Sequence, residues 1–214
     1  MIDKAIEVIQ SVKPHVLSLN EICTSDLDRL RGAMERTAPE HVEFKAAEKP
    51  PGTKRMCTDG RGEYGNAVMV SDEYAGSDHS SGIYTAQVTG EEQRVYSCLG
   101  GGRINACTTH LTVDGEGKAL EQCGELMSGP ASRYANSGPT IVAGDLNLRY
   151  NRHDKYHNVQ KCVPDGFVRK GDEKVQHVMA SSRFDFIDKR NVSMKDGKGQ
   201  TTDHPALLAT LVLR

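Results

Sequence analysis

At 214 residues, with 27 Lys and Arg against 29 Asp and Glu and a formal net charge of −2, the chain is long enough for one sizeable hydrophobic core. The near-neutral balance excludes a polybasic surface as the dominant feature, so recognition of any anionic partner has to come from local patches. There is no apolar run of about 18 residues to span a membrane, no basic-then-apolar secretory start, and no Pro/Ser linker or charge block that would divide the chain. The expectation is a single domain over residues 1–214.

Ile2, Ile6, Ile9 and Val12 recur at helical spacing, and Pro14 closes that helix before Val16-Leu17-Ser18-Leu19, a buried strand with Glu21 at its C-terminal end. A second helix is predicted from about Asp26 to Glu35, with Ser25 as N-cap, Asp28 at the capping-box position, and Leu27, Leu30 and Met34 along its inner face. The segment from Glu48 to Gly65, rich in Pro, Gly, Lys and Arg, reads as loop. Ala67-Val68-Met69-Val70, Ile83 to Val88, Arg94 to Cys98 and Ile104 to Thr109 read as successive strands, with Gly100-Gly101-Gly102 as the turn between the last two. A helix from about Lys118 to Met127 precedes a strand at Thr140 to Ala143, and further strands are predicted at Phe184 to Ile187 and Ala206 to Leu213. Helices interleaved with strands without strict βαβ alternation predict an α/β sandwich with mixed, largely antiparallel sheets rather than a doubly wound sheet.

Three acidic sites fall at separate strand ends: Leu19-Asn20-Glu21, Gly144-Asp145-Leu146-Asn147, and Thr201-Thr202-Asp203-His204-Pro205. Asp145 and Asn147 flank Leu146, so the two-residue period of a strand sends both oxygen-bearing side chains to one side, and hard oxygens are what Mg²⁺ and the phosphate it polarises require. Pro205 holds His204 in extended geometry. A histidine there can take a proton from water if a carboxylate fixes its tautomer, and Asp185 in Phe184-Asp185-Phe186-Ile187 is the candidate. Singly, each of these also has a structural reading: Gly, Asp and Asn suit strand-ending turns, and His110 and Asn66 sit where turn or hydrogen-bonding residues are common.

With Thr109-His110-Leu111 and Tyr64-Gly65-Asn66-Ala67 the set resembles the endonuclease/exonuclease/phosphatase superfamily, and the likeness spans nearly the whole chain. The resemblance implies a four-layer α/β sandwich, two mixed, largely antiparallel sheets face to face with helices outside. It also implies a Mg²⁺-dependent (or Mn²⁺-dependent) phosphoric ester hydrolase. Glu21, Asp145 and Asp203 would serve the metal end, and Asp145 and Asn147 would orient water and phosphate. His204 held by Asp185 would act as base, His110 would stabilise developing charge, and Asn66 would help shape the pocket and, with Asn147, bind substrate. Arg149 and Arg152, in a basic loop interleaved with Tyr150 and Tyr156, would contact substrate.

Nucleic acid, DNA or RNA, is the favoured substrate, since no apolar membrane-docking hairpin is evident. A sugar- or lipid-phosphate hydrolase, or a non-catalytic binding domain keeping the fold, are the alternatives, and no specific protein partner is inferred. The family opens with a central strand carrying an Asn, whereas this chain begins at the following helix, so the domain is expected to be N-terminally incomplete. Asn20 also stands where the family has Gln. Six cysteines without C-x-x-C spacing allow up to three disulfides in an exported protein, or else buried free thiols in a cytosolic one.

Overall fold

The computed structural model describes residues 1–34, 41–50, 52–113, 116–197, 199–200 and 202–214. Its elements in chain order are α1 Ile2–Val12, β1 Val16–Cys23, α2 Thr24–Met34, β2 Val42–Ala46, β3 Glu48–Lys49, β4 Thr53–Lys54, β5 Tyr64–Val70, β6 Asp78–Ile83, β7 Val95–Gly100, β8 Asn105–His110, α3 Lys118–Leu126, α4 Ser132–Ser137, β9 Thr140–Asp145, β10 Phe167–Gly171, β11 Gln176–Ser181, β12 Phe184–Val192, β13 Lys195–Asp196, β14 Gly199–Gln200 and β15 Ala206–Leu213. Thr201 and Glu35 lie outside the described residues.

Helix α1 ends where Lys13 turns left-handed (φ 48°) and its N–H bonds the Ile9 carbonyl, just before Pro14 forbids continuation. Helix α2 differs from expectation. It starts at Thr24, directly after β1, so Ser25 lies inside it and donates its hydroxyl to the Arg61 carbonyl at 3.0 Å instead of capping. The helix predicted to stop at Met127 passes through a wide π-turn, Met127–Ala131, into α4; the widened turn accommodates Pro130, which cannot donate a helical hydrogen bond. The strand expected at Ile83 to Val88 lies instead at Asp78–Ile83. After it the chain is held by the Gln87 side chain, which bonds the backbone of Tyr84 and Arg94. Strands β2, β10, β11, β13 and β14 depart from the sequence expectation, and the segment read as loop between Glu48 and Gly65 carries the short β3–β4 hairpin.

The large sheet has the order β10-β11-β9-β8-β7-β6, antiparallel except for the parallel pair β8–β9. A second sheet, β1-β5-β2, is antiparallel throughout, and β12 pairs with β15. Three apolar clusters define the layers. Ile9, Leu30 and Met34 of the N-terminal helices pack on Ala67 and Met69 of β5. The opposite face of β5, with Val68 and Val70, meets Leu99, Ala106, Ile141 and Val178 of the large sheet, and Leu207, Ala209 and Leu211 of β15 close the same core. The far face of the large sheet packs Val142 and Met179 against Leu126, Met127 and Tyr134. The result is the expected four-layer α/β sandwich of mostly antiparallel sheets. Among the described residues β1 has only β5 as sheet neighbour and β15 only β12, so each leaves one edge unpaired beside the central core.

All six cysteines are paired, as Cys23–Cys57, Cys98–Cys107 and Cys123–Cys162. The last ties α3 to the turn at Val159–Cys162 across 39 residues, a loop length at which a disulfide contributes about 2–4 kcal/mol by restricting the unfolded chain. The double variant Cys123→Ala/Cys162→Ala is therefore expected to lose about 4–16 °C in Tm, read by calorimetry. Denatured but unreduced parent protein is expected to titrate no free thiols; six reactive thiols would remove the paired assignment.

Candidate active site

The C-terminal ends of β1, β8 and β9 and the turn entering β15 meet at one end of the two sheets. In β1 the pairing with β5 slips between Leu19 and Ile22, and Glu21 takes a left-handed conformation (φ 58°) at this bulge, which turns its carboxylate outward, 58% exposed. Its neighbour Asn20 points the other way and joins three strands. Its side-chain Oδ1 accepts the Asp145 N–H at 2.8 Å, and its side-chain amide N–H groups donate to Asn66 Oδ1 at 3.2 Å and Thr108 Oγ1 at 3.3 Å. Asn20 thus locks β9 to β1.

The parallel register places His110 beside Asp145. One step back along the same ladder, opposite Thr109, Gly144 is obligatory, because a Cβ there would collide with the Thr109 carbonyl oxygen. Asp145 Oδ1 accepts the Asn147 N–H at 2.9 Å, and the Asn147 amide donates to the Leu111 carbonyl at 2.7 Å, which fixes the left-handed Asn147 (φ 48°). Burial raises the Asp145 pKa above the usual carboxylate range, so the site holds a carboxyl whose charge lacks full compensation. His204 Nε2 lies 3.8 Å from Asp145 Oδ2 and 3.5 Å from Asp203.

His110 is pushed down to about 3, first by burial and then by the charge of Arg94, whose Nη1 sits 3.2 Å from His110 Nδ1. The 3.7 Å approach of Glu21 is accordingly a contact between a carboxylate and a neutral ring, with burial and Arg94 outweighing it. With Arg94 donating to Nδ1, the ring proton resides on Nε2 and that edge is a hydrogen-bond donor.

Among the described residues no group of three or more His, Cys, Asp or Glu is arranged as a closed metal cage. Mg²⁺ does not require one: it keeps several waters and is held by one or two carboxylates together with substrate phosphate oxygens. Glu21 and the under-compensated Asp145 fit that demand, and the donors are all oxygen.

Two expected roles are corrected by the structure. Asp185 pairs across the hairpin with Val212 and is bound by Arg214 at 2.9 and 2.5 Å, whereas Val192 is the residue opposite Ala206 at the start of β15. The antiparallel register therefore puts Asp185 roughly 20 Å along the strand from His204, and it does not hold that ring. His204 Nδ1 is buried without a hydrogen-bond partner among the described residues. Asn66 is buried as well; its amide donates to the Val95 carbonyl at 3.2 Å and its oxygen accepts from Asn20, so it supports Asn20 from inside the core. Arg149 is exposed on the loop after Asn147, and Arg152 Nε bonds the Tyr150 hydroxyl at 3.0 Å.

Several neighbours escaped the sequence reading. The Tyr64 hydroxyl is held protonated, first by burial and then by the nearby Glu21 carboxylate. Arg55 lies over the Tyr64 ring at 4.7 Å and is ion-paired with Glu92, which also reaches Arg94 at 3.4 Å. Asp172 is buried near Asp145; Oδ1 caps the Lys174 and Gln176 amides at 2.8 and 3.1 Å while Oδ2 has no partner. None stands in a motif with Glu21 or Asp145, and only the pairing of distant strands reveals them.

Carboxylates, an amide and two imidazoles are thus gathered where the strands of this sandwich end. The chain belongs to the endonuclease/exonuclease/phosphatase family, whose model matches residues 2–160, and members of that family are phosphoesterases. Comparison with curated proteins gives no significant match. Among solved structures, an endonuclease/exonuclease/phosphatase from Beutenbergia cavernae is 18% identical with a TM-score of 0.74 over 100% of this chain and 66% of its own. The mannosyl-6-phosphatase Bt3783 of Bacteroides thetaiotaomicron is 14% identical, TM-score 0.67, over 99% and 90%. Truncated Caenorhabditis elegans TDP2 is 16% identical, TM-score 0.65, over 99% and 90%. At these identities the likeness establishes the fold.

Proposed function

We propose that this protein is a Mg²⁺- or Mn²⁺-dependent phosphodiesterase acting on nucleic acid, exported in its disulfide-bonded form. The observation that carries the reading is the gathering of Glu21, His110, Asp145 and His204 from four separate segments at one strand-end surface. A divalent ion held by Glu21 and Asp145 would neutralise phosphate charge and lower the pKa of bound water. Asp145 and Asn147 hold each other in the geometry that orients water and phosphate. His204 takes the proton of the attacking water, and Asp203 sits at the same end. The neutral His110 donates from Nε2 to charge developing on the phosphoryl oxygens. The exposed Arg149 and Arg152 beside Tyr150 favour a polyanionic substrate. No described helix is long and apolar enough to cross a membrane.

Plasmid DNA, a single-stranded oligonucleotide, bis(p-nitrophenyl) phosphate and mannose 6-phosphate, each assayed with Mg²⁺ and with EDTA, test the proposal. Metal-dependent cleavage of the nucleic acids is expected. Turnover of the sugar phosphate alone would replace the nuclease reading with a phosphatase, and no turnover of any of them would favour a binding domain.

A further inference from the structure

Beyond the catalytic strand ends lies an open cleft of about 430 Å³ lined by Tyr150, Arg169, Lys170, Gly171, Glu173 and Lys189, three cations against one carboxylate. It is reached by two lateral steps across the large sheet, from Gly144 to its partner His177 and from His177 to Gly171, roughly 10 Å at ordinary strand spacing. Arg169 dominates it. The guanidinium is set 4.9 Å from the Tyr150 ring and 3.1 Å from His177 Nδ1, its Nε is buried without a partner, and no carboxylate of the described residues pairs with it.

This placement is built in. The His177 ring, 2% exposed, donates from Nε2 to the Leu148 carbonyl at 2.7 Å, one residue after Asn147, and so presents Nδ1 to Arg169 as an acceptor. Gly171 is required beside it, since a Cβ would strike the ring. Lys189 is held at the cleft by the Gly171 carbonyl at 2.8 Å, while Lys170 is exposed. A half-buried cation lacking an internal counter-ion attracts an anion from outside, and a planar fork over a Tyr that is 46% exposed offers a stacking surface that only an unpaired base can use.

We infer that this cleft is a subsite for a flanking phosphate and unstacked base of single-stranded nucleic acid, held by Arg169, Lys170 and Lys189 next to Tyr150. The inference rests on the nuclease reading for its catalytic consequence, but binding tests it independently. The probe is a short fluorescein-labelled single-stranded oligonucleotide, with anisotropy measured in EDTA over a range of NaCl. The variants are Lys170→Gln/Lys189→Gln, which leaves the His177 contact intact, and Arg169→Gln. Each is expected to weaken binding about tenfold, and the double variant to flatten the slope of log K against log salt by roughly 1.4, the value for two lost phosphate contacts. The ratio of kcat/KM for the oligonucleotide to that for bis(p-nitrophenyl) phosphate should fall about tenfold in both.

Unchanged affinity and salt slope in the folded double variant would overturn the subsite. Equal affinity of the parent for duplex and single strand would overturn its single-strand character. Parallel losses on both substrates would place the residues in the catalytic centre instead. If the parent protein hydrolyses nothing yet loses binding in these variants, the catalytic reading fails and the subsite stands.

Discussion

Glu21→Ala is expected to reduce metal-dependent hydrolysis at saturating Mg²⁺ by at least about a thousandfold, the scale of several kcal/mol of lost charge stabilisation. The same change should move Tm by no more than about 2 °C, as for a surface substitution away from the core. The two halves of the expectation have one cause. The Glu21 side chain is 58% exposed, set outward at the bulge, and contributes charge rather than packing. Alanine also meets the same left-handed backbone (φ 58°) that Glu already tolerates, so no large new strain arises. Steady-state assays over a Mg²⁺ titration, beside thermal melts, check both halves. Full turnover by the variant, or by the parent protein in excess EDTA, would remove the metal role.

The second large effect is expected at His204→Ala, a fall in kcat of at least about a hundredfold, the usual scale of positioned proton transfer. The ring lies 3.8 Å from Asp145 and 3.5 Å from Asp203, which is where a water attacking phosphate held at the strand ends would give up its proton. Asp185→Asn is expected to retain parental rates, because Asp185 is bound to Arg214 at the opposite end of the β12–β15 hairpin. Single-turnover rates of the two variants decide the matter. A loss under twofold at His204 would exclude it from the chemistry, and a large loss at Asp185 would restore the partnership that the strand register denies.

The two errors about site residues share an origin. Phe184-Asp185-Phe186-Ile187 has the right residue type on a strand, and from the sequence it pairs naturally with a histidine on the neighbouring strand. What the sequence does not carry is the register, and in an antiparallel hairpin the register sends the start of β12 to the end of β15. Asn66 was placed on the correct strand end, but whether its amide faces the pocket or the core depends on Asn20, a residue 46 positions away. Tyr64, Arg94 and Asp172 were invisible for the same reason: each acquires its role from a contact with a residue on another strand.

Local pattern alone determined much of this protein. The helical period of Ile2, Ile6 and Ile9, the apolar run from Ala206 to Leu213, the layered α/β class, and the strand-end positions of Glu21, Asp145, Asn147 and His204 are all properties of short stretches, set by side-chain period and by Pro and Gly stereochemistry. The tertiary structure decided the rest. It set the cysteine pairing, the path of the chain through Pro130, the neutral state of His110 under burial and Arg94, and the approach of His177 and Arg169 beside the turn that follows β9. Each depends on desolvation or on a contact between residues far apart in the chain, and both come into being only when the sheets close on one another.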